Sequence, residues 1–95
     1  MSEIRTTDDV CAALSEEARS RAEGMAQAGQ PERSRLYSQI TFEARGLSEF
    51  SAASNDGDML DLVDMVLEAV EERHGLAFIT HRDGGGVQTL HWSYA

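Results

Sequence analysis

Asp58 to His74, DMLDLVDMVLEAVEERH, is the stretch that most restricts what this chain can fold into. A helix advances by about 100° per residue. At that pitch Met59, Leu62, Val63, Val66, Leu67 and Val70 share one broad face, and Asp61, Asp64, Glu68, Glu71 and Glu72 fall opposite. The ends agree with the periodicity. Asn55-Asp56-Gly57-Asp58 offers capping oxygens, and early acids suit the positive end of the helix dipole. Arg73 and His74 occupy the last turn, and Gly75 supplies the left-handed residue that closes a helix. Leu76 is then placed to fold back on Val70 in a Schellman close. A helix over 57–74 follows, whose apolar face needs a partner layer and whose acidic face needs solvent or something basic.

The remaining segments supply that layer. Thr7 reads as an N-cap with Asp8 and Asp9 in the first turn. Val10, Cys11, Leu14, Ala18, Ala22, Met25 and Ala28 then make one side of a helix over about 7–28. Arg21 lies on the same side, so it either reaches past the core edge or pairs with an acid. Gly29-Gln30-Pro31 closes one helix and opens the next. Between 31 and 53, Leu36, Tyr37, Ile40, Ala44, Leu47 and Phe50 form a continuous helical stripe, with Phe42 off it. The same stretch alternates as a strand from Arg35 to Arg45, but that reading leaves Phe50 unexplained, so a helix packed antiparallel to the first is preferred.

After the 57–74 helix come two segments rich in β-formers, 76–82 and 87–94. Asp83-Gly84-Gly85-Gly86 between them provides the turn. Leu90, Trp92 and Tyr94 share the face expected to pack on the helices. The expected fold is therefore α+β, one domain over 1–95, with three helices followed by a C-terminal β-hairpin. The alternative is α-β-α-β-β with a three-stranded antiparallel sheet.

Charge limits the functional classes. Seventeen acids against eight bases give a formal −9 over 95 residues, and every base is arginine. Such a chain repels phosphate backbones and anionic bilayers, which disfavours direct nucleic-acid and membrane binding. No apolar run nears the roughly 20 residues of a membrane span, and MSEIRTTDD lacks the pattern of a signal peptide. The cytoplasm is the expected compartment, and the single cysteine, Cys11, calls for no oxidising one.

No constellation marks a reaction. His74, His81 and His91 lack the spacing of a zinc site, so no metal or other cofactor is expected. Cys11 lies on an apolar stripe beside acids that would raise its thiol pKa. The Asp83–Gly86 run joins two strands rather than a strand to a helix N-terminus, so it is a turn and not a phosphate cradle. The expectation is a small acidic non-enzymatic regulator that meets a basic protein surface through Asp61, Asp64, Glu68, Glu71 and Glu72. One concrete form is an inhibitor occupying a nucleic-acid-binding groove of its target, as phage anti-defence proteins can. His91, Trp92 and Tyr94 mark a second interface, a homodimer formed edge to edge through the hairpin. The alternative is a ligand-binding or enzymatic domain using His81, His91 and Trp92 near a helix–hairpin cleft.

Overall fold

The structure, a computed structural model, describes residues 3–53, 57–82 and 88–95. Helix α1 spans Thr7–Gln27, α2 Pro31–Glu43, α3 Leu47–Ala53 and α4 Leu60–His74, followed by strands β1 (Leu76–Arg82) and β2 (Gln88–Tyr94). Helices leading into a two-stranded antiparallel hairpin are thus the observed class, and the three-stranded alternative is excluded. The expected turn Asp83–Gly86, Val87 and the capping residues Asn55 and Asp56 lie outside the described residues.

The start of α1 is fixed by a capping box one residue earlier than expected. The Thr6 hydroxyl accepts the Asp9 amide at 3.2 Å, and Asp9 Oδ2 accepts the amides of Thr6 at 3.0 Å and Arg5 at 2.9 Å. Those backbone donors hold the Asp9 carboxyl below its ordinary pKa. Thr7, the expected cap, is instead the first helical residue, and its hydroxyl receives Trp92 Nε1 at 3.3 Å. Gly29, at φ 75°, turns the chain, and Pro31 opens α2 at a position that needs no N–H. The two helices then run antiparallel, with the Ser34 hydroxyl donating to the Ala22 carbonyl at 2.8 Å. The small side chains of α1 permit that approach.

One helix over 31–53 is corrected to two. At Ala44–Gly46 the chain leaves the α2 axis: the Arg45 amide bonds the Phe42 carbonyl three residues back, and the Gly46 carbonyl then accepts Phe50 N–H to begin α3. Gly46 costs a helix about 1 kcal/mol relative to alanine. Just upstream, Thr41 turns its hydroxyl onto the Tyr37 carbonyl at 2.9 Å, a bond that tends to bend helices. The break still leaves Tyr37, Ile40, Ala44 and Phe50 buried, while Leu36 and Leu47 are half-buried. Phe42 is 61% exposed, with the Arg45 guanidinium 4.5 Å above its ring.

Helix α4 begins at Leu60 rather than 57, because Gly57–Met59 form a turn and Met59 is the N-cap. It ends on Gly75 at φ 67°, ψ 41°, whose amide bonds the Glu71 carbonyl. That single bond is the simpler left-handed close rather than the Schellman pair. Leu62, Val63, Val66 and Val70 are buried with Val10, Leu14, Ala18, Phe50, Met59, Leu76 and Leu90 in one core. In the hairpin Leu76 pairs with Tyr94, Phe78 with Trp92, Thr80 with Leu90, Ile79 with His91 and His81 with Thr89. Alternation then puts Leu76, Phe78, Leu90 and Trp92 toward the helices and Ile79, His81 and His91 outward. Tyr94 lies on the inner side at its rim, 63% exposed, with its hydroxyl donating to the Ile4 carbonyl at 2.6 Å. No described helix is long and apolar enough to cross a membrane.

Candidate functional site

The carboxylates of α4 divide into two groups. Asp61, Asp64, Glu68 and Glu72 are exposed on the side away from the core. Glu71 is half-buried and turned to the hairpin, where its Oε2 accepts the Phe78 amide at 3.0 Å. It therefore covers an outward-pointing N–H of β1 and leaves four acids on the open surface. Asp61, Asp64, Glu68 and Glu72 span about 16 Å along the helix at 1.5 Å per residue. Apolar side chains border them: Met65 is 45% exposed and Leu60 44%. The Met65 sulfur is held by the Tyr37 hydroxyl at 3.8 Å.

The basic rim of this face is broader than the sequence suggested. Besides Arg73 in the last turn of α4, Arg21 of α1 lines a shallow depression with Met65, Glu68, Ala69 and Glu72. Both arginines converge on a residue the sequence reading passed over. Glu17 is 6% exposed, with its Oε2 receiving Arg21 Nε at 2.8 Å. Arg73 Nη2 stands 3.1 Å from Oε1, an ionic approach out of line for a hydrogen bond, so Oε1 has no hydrogen-bond donor among the described residues. Burial alone would pull the Arg21 pKa down; the nearby Tyr37 hydroxyl and the hydrogen bond to Glu17 outweigh it and hold it above its ordinary value. Arg21 therefore takes the second of the two expected courses and pairs with an acid. A signal for Glu17 did exist, since it precedes Arg21 by four residues and a charged pair at that spacing meets on one helix face.

The histidine alternative does not assemble. His81 stands opposite Thr89 and His91 opposite Ile79, so the two are diagonal neighbours on the outer face, both exposed. Trp92 lies on the other face, edge-on to Tyr94 with ring centroids 5.6 Å apart. His74 is on the far side of the core, lining a small cleft with Ile4, Asp9 and Glu16. Among the described residues no three His, Cys, Asp or Glu side chains are grouped to hold a metal ion. Burial, then the nearby charges of Asp8 and Glu49, push the Cys11 thiol up. Glu49 lies on α3, which packs against β2 and α2, so its nearness to Cys11 depends on the tertiary fold. A groove between α1 and α2 is lined by Arg19, Ala22, Glu23, Ser34, Ser38 and Thr41, and it contains none of the candidate site residues.

No protein-family model, curated protein or solved structure matches this chain.

Proposed function

We propose that the protein is a non-enzymatic regulator that binds a basic protein surface through the outer face of α4. The observation that carries this reading is the composition of that face. Asp61, Asp64, Glu68 and Glu72 form a band along the helix, with Met65 half-exposed on one side of it and Leu60 on the other. A band of like charges bordered by half-exposed apolar side chains suits an interface in which the carboxylates steer approach and the apolar side chains are buried on contact. A face built only for solubility gains nothing from four acids on one helix, because like charges at helical spacing destabilise it. In its sharper form, the partner's surface is one that otherwise holds nucleic acid, and the carboxylates of α4 take the place of phosphates.

Asp61→Ser, Asp64→Ser and Glu68→Ser together test the reading. All three side chains are exposed, so the variant folds as the parent does, which circular dichroism checks. Proteins captured from the source organism by the parent should be lost by the variant, chiefly through slower association. A folded variant that keeps the same partner with unchanged kinetics would overturn the proposal. For the sharper form, nucleic acid should compete with the parent for the captured partner.

A further inference from the structure

A recess opens where α3, α4 and the hairpin meet, on the Leu60 side of the acidic band. Its buried lining is Phe50, Val63 and Leu90, with Ser51 as the polar exception. Its rim is Leu60, Asp64 and Thr80, all exposed, and Leu67, which is half-buried. The spacing along α4 explains the position. Leu60, Val63 and Leu67 stand three and four residues apart, on the flank between the core stripe and the carboxylates. The break at Gly46 then lets α3 pack on β2, which brings Phe50 and Leu90 to the same spot.

Size and polarity decide what fits. The space is about 30 Å³, room for about two water-sized groups. A pocket for a cofactor or small molecule holds roughly 300–1,000 Å³. The recess therefore suits the tip of one side chain, and an aromatic ring is too large for it. Phe50, Val63 and Leu90 offer contact but no hydrogen bond, which selects an apolar guest. The two methyls of a branched aliphatic side chain match both the volume and the chemistry. Charge decides what stands beside that side chain. Asp64 is on the rim itself, Asp61 and Glu68 lie within about 6 Å of it along the helix axis, and no lining residue is a base.

We infer that the recess receives a branched aliphatic side chain of the partner, flanked in sequence by arginines or lysines that meet Asp61, Asp64 and Glu68. The inference rests on the reading of the α4 face as a site for a basic protein surface, and it names the contact that makes that site selective. Charge alone accepts any cationic segment. The recess distinguishes one that carries an aliphatic residue between its bases.

Three synthetic peptides test this on the full chain. The first has one leucine between two pairs of arginines, the second has alanine for the leucine, and the third has glutamines for the arginines. At low salt the first should bind about tenfold more tightly than the second, which lacks about two buried carbons. The protein's backbone amide shifts, read by NMR, should then centre on Val63, Leu67 and Thr80. Added salt should weaken both arginine peptides and preserve their ratio, because screening acts on the charges and not on the apolar contact. Thr80→Phe, at an exposed strand position that accepts an aromatic, covers the mouth of the recess. It should reduce the leucine peptide to the affinity of the alanine one and leave the alanine peptide unchanged. Equal binding of those two peptides to the parent would overturn the inference and leave the charged contact standing. If the glutamine peptide binds as tightly as the first, or if neither arginine peptide binds, the reading of α4 falls and the inference falls with it.

Discussion

Two sets of carboxylates on neighbouring helices meet opposite fates. Glu17 of α1 is drawn under the surface and held between Arg21 and Arg73. Asp61, Asp64, Glu68 and Glu72 of α4 stay in water. Solvation favours leaving a carboxylate exposed, because burial costs several kcal/mol unless a partner offsets it. Glu17 has two such partners and joins α1 to α4 across the edge of the core. The side chain of Arg21 is 29% exposed and that of Arg73 59%, so neither arginine is stranded if the cluster opens. The lesson is that net charge says little about where charge acts. Glu17 serves the fold, as Glu71 and Asp9 do, while Asp61, Asp64, Glu68 and Glu72 stay exposed.

Breaking the buried set should have the largest effect. Arg21→Met leaves Glu17 buried with Arg73 alone, and should cost about 2 kcal/mol in urea unfolding, below the 3–5 of a fully buried pair because Arg21 is part-exposed. Adding Glu17→Leu should recover most of that loss, since a well-packed apolar replacement of an ion pair is often close to neutral. A double variant as unstable as the single one would mean that the cluster fixes the helix pair in some other way. Asp9 sharpens the contrast through pH. Its native pKa is lowered chiefly by the Arg5 and Thr6 amides, so its contribution is present above the unfolded carboxyl value and lost as pH falls through the native one. Asp9→Asn should therefore flatten the fall in stability between about pH 4 and the native value, read by thermal melts. The smallest effect belongs to the open face: the triple serine variant should unfold within about 0.5 kcal/mol of the parent, or slightly later as repulsion is relieved.

The sequence makes α4 and the hairpin legible because each shows one uninterrupted periodicity, closed by Gly75 between them. The α2–α3 break is hidden because Ile40, Ala44, Leu47 and Phe50 keep helical spacing across Gly46, so apolar pattern alone joins what the backbone separates. Of the acidic face, exposure was legible for Asp61, Asp64, Glu68 and Glu72. The engagement of Glu71 was not, because it depends on where Phe78 N–H points after the chain reverses. Arg21 as a rim residue and Glu17 as its anchor were half-visible: the pair stands at four-residue spacing, but its burial depends on Arg73 arriving from another helix. Met65 escaped notice because a methionine among acids on the solvent side has no place in a stripe count.

The association rate of the parent with its captured partner, measured across ionic strength beside the triple serine variant, bears most directly on the proposed role of α4. Steering by the exposed carboxylates requires the parent's rate to fall steeply as the Debye length shortens from about 30 Å at 0.01 M to about 8 Å at 0.15 M salt. The variant should associate slowly at low salt and show a much flatter dependence. Two parallel salt curves with the same low-salt rate would mean that Asp61, Asp64 and Glu68 are merely hydrated, and the proposed function would fall.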